Sequence, residues 1–241
     1  MHSDAAPLLG AERPPSPSSL KTRRLRRRGP RSFDSLAKRS LRFRRCPEEI
    51  NPGKSRIESP PSELKLQPLI ILNVNIRSLM GKRDELIAVV ERLGVNLILI
   101  QESWLDASTV NPVLPGFLIL DRRDRSDRPN RGGIIIYARQ DLNNLIAFRK
   151  AANAERIWCL VQRDSGCVAI CNWYLPPGNS IEEIDSLRQE LEEITDVADS
   201  VVICGDLNIH HTSWLEYSNG DTPRGRSLKD VCDCHVLREM V

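Results

Sequence analysis

No apolar run in this chain approaches the ~18 residues that a membrane span needs, which predicts a soluble protein with no membrane partner. No signal-peptide-like segment opens it, and its seven cysteines (46, 159, 167, 171, 204, 232 and 234) form an odd set. A reducing cytosolic or nuclear compartment is therefore expected. Most of these cysteines lie in apolar, strand-like runs, where a thiol acts as a small hydrophobe. Cys232-Asp233-Cys234-His235 lacks a matching pair of ligands, so it reads as part of a terminal helix rather than a zinc site. A glycine-rich phosphate loop is also missing. Gly132-Gly133 follows Arg131 and opens a strand, which suits a tight turn.

Excess positive charge is absent from most of the chain as well. The net +3 of the 241 residues conceals 15 Lys/Arg against 6 Asp/Glu in residues 1–60, and 20 against 26 in residues 61–241. Whatever the folded part binds, bulk charge does not recruit it. Residues 1–67 are rich in Pro, Ser and Arg without a sustained apolar period, and are expected to be a disordered leader. Within it, Lys21–Arg31 is a basic cluster suited to a nuclear-import address or a non-specific phosphate-binding arm; a leader without function reads equally well. The nucleus, otherwise the cytoplasm, is the expected location.

From Pro68 the texture changes to short β-rich runs separated by helices, so residues 68–241 are expected to form the domain. Leu86, Val90 and Leu93 mark one face of a helix over Arg83–Leu93, stopped by Gly94. A second helix, over about Ile181–Val197, carries Ile184, Leu187, Leu191 and Ile194 as its stripe, with Ser180 and Glu183 as a capping box. Strands are expected at 117–120, 133–138, 144–149, 156–162, 167–173 and 200–204, and a short helix over Gly225–Leu237. This is an α/β pattern with mixed sheets rather than a doubly wound nucleotide fold.

Four apolar runs end in polar residues: Asn73-Val74-Asn75, Gln101-Glu102, Asn172-Trp173-Tyr174 and Gly205-Asp206-Leu207-Asn208. Such runs predict a sheet core with a reactive rim where distant side chains converge. A carboxylate at Glu102, just past the apolar run Leu97–Ile100 and Gln101, is costly unless it meets a cation or water. Mg²⁺ satisfies it, because this ion takes oxygen ligands, often one or two carboxylates, and keeps its other sites for water and phosphate. Asn73 and Asn75, two apart on one strand face, can both help hold metal or phosphate, or one can tie down a loop. Asp206 can orient or deprotonate a water, and Asn208 and Tyr174 can donate hydrogen bonds to a phosphoryl oxygen. Singly, an Asp or Asn after a strand is more often a turn former, and a Tyr at a strand end is more often half-buried packing. Their recurrence in this order makes the set specific.

The motifs Leu72-Asn73-Val74-Asn75-Ile76-Arg77-Ser78-Leu79, Ile100-Gln101-Glu102-Ser103-Trp104-Leu105, Arg131-Gly132-Gly133, Cys171-Asn172-Trp173-Tyr174-Leu175-Pro176-Pro177 and Gly205-Asp206-Leu207-Asn208-Ile209-His210-His211 closely resemble the endonuclease/exonuclease/phosphatase superfamily. Trp214, and Asp221 ahead of Arg224-Gly225, make the apurinic-endonuclease-like domain of non-LTR (LINE-type) retrotransposons the nearest match. The resemblance covers about Pro68 to the end. It implies a four-layered α/β sandwich, two mixed β-sheets flanked by helices, that nicks DNA with Mg²⁺ or Mn²⁺ and opens target DNA to prime reverse transcription. It further implies Glu102 as metal ligand with Asn73 as its partner, Tyr174 on the phosphate, Asp206 aligning the attacking water and Asn208 stabilising the transition state. Asn75 and His211 would contact substrate, although a histidine at this position reads more often as a surface residue of a polar loop. No obligate protein partner is indicated beyond DNA.

The superfamily's second half continues into strands ending in Ser-Asp-His, whereas this sequence stops at Val241, so the sandwich is expected to be incomplete at its C-terminus and marginally stable, with activity left open. Loss of an acid/base partner removes an effect of roughly 10²–10⁴-fold. The other readings are a phosphatase or phosphodiesterase of the same superfamily, and a non-catalytic nucleic-acid-binding remnant whose affinity resides in the leader.

Overall fold

Period-two alternation along the strands sorts this protein into layers. The computed structural model describes residues 68–125, 131–142, 145–150, 154–178 and 180–240, together with the backbone of 41–45. The elements are β1 (Leu41–Arg45), β2 (Ile71–Asn75), α1 (Arg83–Leu93), β3 (Leu97–Gln101), β4 (Phe117–Arg123), β5 (Ile134–Arg139), β6 (Leu145–Phe148), β7 (Arg156–Arg163), β8 (Gly166–Tyr174), α2 (Glu182–Val197), β9 (Ser200–Asp206), α3 (Pro223–Cys234) and β10 (Leu237–Glu239). They build a four-stranded sheet in the order β2-β3-β5-β4 and a six-stranded sheet in the order β10-β1-β9-β8-β7-β6. Both are mixed: β2 with β3 and β8 with β9 run parallel, while their other neighbours pair antiparallel.

Three apolar seams separate the expected four layers. Leu97 and Leu99 of β3 face the second sheet, where Ile157, Cys159, Val161, Ile170 and Cys204 meet them. The alternate residues Ile98 and Ile100 turn outward with Leu72 and Val74 and pack with Leu86 and Val90 of α1. On the far side, Trp158, Cys171, Trp173 and Ile203 lie against α2 and α3. Strands covered on both faces are apolar at nearly every position, which is why β3 reads as a continuous run.

The helices follow the sequence closely but not at every contact. α1 ends at Gly94, whose φ of 60° lets its N–H reach the Val90 carbonyl. Leu86 and Val90 are buried, whereas Leu93, beside the cap where the chain turns away, is 47% exposed. In α2 all four stripe residues are buried. Its expected capping box does not form. Ile181 is the N-cap, Ser180 Oγ accepts from the Glu182 N–H at 3.3 Å, and the Glu183 carboxylate instead accepts the Trp173 indole N–H at 3.4 Å. A buried ion pair fastens α2 to the sheet: Arg156 Nε and Nη2 donate to Glu190 at 2.8 and 2.6 Å, and the Trp158 indole donates to the same carboxylate at 2.6 Å. α3 starts with Pro223 behind Thr222, whose Oγ1 accepts the Gly225 N–H at 3.0 Å. It stops at Cys234, and Leu237 belongs to β10.

One segment departs from the expectation of a structureless leader. Leu41–Arg45 forms β1, hydrogen-bonded antiparallel between β9 and β10. Its Leu-Arg-Phe-Arg alternation has the period of a strand, and β9 would otherwise present an open edge of unpaired N–H and C=O groups. The remainder of 1–67, including the basic cluster at 21–31, lies outside the described residues.

Candidate active site

Among the described residues, the polar side chains of the inter-sheet faces gather at one end of the strands, in an inner and an outer row. Asn75 stands opposite Gln101, Asn172 opposite Cys204, and Tyr174 opposite Asp206.

The inner row is closed to solvent. Gln101 Nε2 donates to Asn73 Oδ1 at 2.8 Å and to Asn172 Oδ1 at 2.5 Å, and Asn172 Nδ2 donates to the carbonyls of Ile100 and Ile135. All three side chains are 0% exposed. Asn73, expected as the partner of Glu102, lies in this inner row and accepts from Gln101 within the four-stranded sheet, while Gln101 carries the link across to Asn172. Asn73 shares a strand face with Asn75, but two residues of extended chain place it one layer deeper.

The outer row is the constellation that the motifs foreshadow. Asn75 Nδ2 donates to Glu102 Oε1 at 2.9 Å and to Asp206 Oδ2 at 2.6 Å, so one amide spans carboxylates from both sheets. The Tyr174 hydroxyl donates to Glu102 Oε1 at 3.1 Å. Trp104, not singled out from sequence, donates its indole N–H to Glu102 Oε2 at 3.2 Å. Asn208 gives one amide hydrogen to the Leu175 carbonyl at 3.0 Å, which leaves its second N–H for a ligand. His211 is built into its own loop: its N–H donates to Ser218 Oγ at 2.7 Å, and its ring lies 3.1 Å from Ser213 Oγ and tilted toward Trp214.

Backbone strain concentrates at this rim. Arg77, Ser78, Glu102, Trp104 and Asn208 all have positive φ, between 46° and 86°. Such conformations persist only where the surroundings enforce them. Here the Ile76, Ser78 and Leu79 N–H groups bond the carbonyls of Gln101, Glu102 and Ser103 at 2.9–3.0 Å, locking the two loops together. Gly205 is required for a related reason: with φ at 157°, a Cβ would drive into the Trp173 carbonyl of the adjacent strand. Arg224, buried behind the site, donates to the carbonyls of Ser180 and Pro176 at 2.6 Å each and so clamps the loop that follows Tyr174.

Burial governs the electrostatics of the rim. Burial, and then the Glu102 charge, push the Asp206 carboxyl above its usual range against the Asn75 amide, the Asn208 N–H and Arg77. Burial is also the main cause raising the Tyr174 phenol, keeping it a hydrogen-bond donor. Lys82 donates to the Ile76 carbonyl at 2.5 Å, and its pKa is lowered chiefly by burial.

Among the described residues there is no cluster of three or more His, Cys, Asp or Glu suited to a metal. The donor set nevertheless fits a hard cation, which needs only one or two carboxylates. Besides Glu102 and Asp206, the carbonyl oxygen Oδ1 of Asn75 is buried without a hydrogen-bond donor, an acceptor that a cation would satisfy.

The chain is thus an α/β sandwich of two mixed sheets whose rim joins an Asn, a Glu, a Tyr and a Gly-Asp-x-Asn turn. Residues 168–240 match a family described as endonuclease-reverse transcriptase. No curated protein matches the chain. Its fold is similar to the AP endonuclease LMAP from Leishmania major (16% identity, TM-score 0.54, 68% of this chain and 65% of that one). It is also similar to the endonuclease domain of TRAS1, a telomere-specific non-LTR retrotransposon (16%, 0.53, 70% and 71%). The catalytic domain of Xenopus laevis APE2 gives 14% and 0.56, with 66% of each chain covered. The chain thus spans just under two thirds of the Leishmania and Xenopus proteins.

Proposed function

We propose that this protein is a divalent-cation-dependent DNA endonuclease domain of the kind carried by non-LTR (LINE-type) retrotransposons. The observation that carries this reading is the Asn75 amide spanning Glu102 and Asp206 while its own carbonyl oxygen lacks a donor. The endonuclease-reverse transcriptase match over residues 168–240 and the fold shared with the TRAS1 domain support it.

Glu102 and Asn75 Oδ1 would hold Mg²⁺ or Mn²⁺, which when bound supplies Lewis-acid polarisation of a phosphoryl oxygen. The residues of the chain do the rest. Asp206, its basicity raised by burial, accepts a proton from water as the water oxygen bonds to phosphorus. The Tyr174 hydroxyl and the free N–H of Asn208 donate to non-bridging oxygens where charge develops. The bond from phosphorus to the 3′ oxygen breaks, leaving a 5′-phosphate and a 3′ oxygen that takes a proton from solvent.

Supercoiled plasmid incubated with the full chain and Mg²⁺ is expected to be nicked, with Glu102→Ala and Asp206→Asn each lowering the rate by roughly 10²–10⁴-fold. Nicking undiminished in Asp206→Asn would remove the assignment. Cleavage of phosphomonoesters but not plasmid would favour a phosphatase, and binding without cutting a non-catalytic module.

A further inference from the structure

Glu155 precedes β7, is only 7% exposed and touches no reacting group, yet two chains of hydrogen bonds lead from it to the site. Through its side chain, Oε2 accepts the Gly133 N–H at 2.7 Å, while Oε1 lies 3.2 Å from Arg125 Nε. The carbonyls of Gly133 and Gly132 in turn accept the N–H groups of Ser103 and Trp104 at 3.1 and 3.0 Å. The turn after Glu102 thus hangs on this glycine pair, and the Trp104 indole reaches Glu102 Oε2. Through its main chain, the Glu155 carbonyl accepts the Tyr174 N–H at 2.8 Å, and the Tyr174 hydroxyl reaches Glu102 Oε1. Both oxygens of one carboxylate are therefore aimed by groups that residue 155 organises.

The glycines leave little slack in this arrangement. Gly132 and Gly133 have φ of 64° and 81°, and a Cβ would come within 3.0 Å of Glu155 Oε2 at the first and 2.6 Å of Ser103 Oγ at the second. Glu102 and Trp104 also hold positive φ, so their conformation depends on these restraints.

We propose that Glu155 is a positioning residue: by accepting the Gly133 N–H it sets the orientation of the Glu102 carboxylate and with it the affinity of the site for a divalent cation. The proposal rests on the reading of Glu102 as a cation ligand. Outer partners that orient a ligand typically change metal affinity by 10–100-fold when removed.

The test is Mn²⁺ titration of the full chain followed by electron paramagnetic resonance of the free ion, alongside circular dichroism and melting. Glu155→Ala is expected to weaken Mn²⁺ binding by about 10-fold or more with the fold retained. Glu155→Gln, which keeps an acceptor oxygen of the same reach, is expected to restore affinity to within about 3-fold, as the acceptor role requires. If Glu155→Ala does not fold, Glu155→Asp, which keeps the charge but withdraws from Gly133, should show the same loss. Unchanged affinity in the folded Ala or Asp variant, or a Gln variant as weak as Ala, overturns the proposal. Glu102→Ala separates the two levels: if it leaves Mn²⁺ affinity intact, or if wild type binds no Mn²⁺, the ligand assignment falls and this inference with it.

Discussion

At the scale of single residues, depth within a strand face decides role. Asn73 and Asn75 are interchangeable by periodicity, since both point between the sheets, but Asn75 bonds both carboxylates whereas Asn73 accepts from Gln101. Asn75→Ala should therefore abolish plasmid nicking, whereas Asn73→Ala should chiefly destabilise, because it strands the buried Gln101 amide at a cost of about 1–3 kcal/mol. Urea melts beside nicking rates separate the two. Glu155 carries a pH signature of its own. Burial pushes its carboxyl up to about 7, against the Gly133 N–H and the nearby charges of Arg125 and Arg123, with Glu183 adding to the rise. A folded-state pKa above the unfolded one means that the native protein binds more protons in the interval, so stability falls as pH rises from the ordinary carboxyl range through about 7. Asp206 contributes in the same direction. The urea midpoint should thus drop between pH 5 and 8, and Glu155→Gln should flatten that slope. The Gly-Asp-x-Asn and Gln-Glu motifs made Glu102 and Asp206 legible in sequence. Trp104 stood within the Gln-Glu motif without a readable role, and nothing local marked Glu155, whose hydrogen bonds reach Gly133 and Tyr174 across the fold.

Among the elements, strands and helices were legible wherever apolar periodicity ran long enough. The α2 stripe is an example, and Gly94 ends α1 at the expected place because only a left-handed residue closes that turn easily. β1 was hidden because five residues of alternating Leu, Arg and Phe are too few to stand out within a basic, proline-rich stretch, and because its hydrogen bonds come from a strand over 150 residues away. The Ser180 capping box failed since Trp173, invisible to a local motif, competes for Glu183. Arg156 and Glu190, distant in sequence, meet as a buried pair. Removing one partner leaves an uncompensated charge, so Glu190→Ala should cost about 3–5 kcal/mol, while replacing both with methionine should cost much less. A double-mutant cycle by chemical denaturation measures the difference.

For the whole molecule, the site belongs to neither sheet alone. Asn75 and Glu102 come from the four-stranded sheet, and Tyr174 and Asp206 from the six-stranded one. Under the proposed function a cation binding there favours the closed pairing, and Mg²⁺ should raise the melting temperature in a concentration-dependent way that EDTA reverses. The Glu102→Ala variant should lose this response. The division of charge argues for a second prediction: removing residues 1–31 should reduce the salt dependence of DNA binding while leaving the cation response intact.

Under the proposed function, the Asn75 bridge would also act as a mechanical fuse. A slight parting of the sheets, well short of melting either one, would break a contact of 2.6 Å before it disturbed the apolar seam below. Under rising denaturant, nicking should vanish while circular dichroism still reports an intact sandwich, so that a damaged copy falls silent before it comes apart.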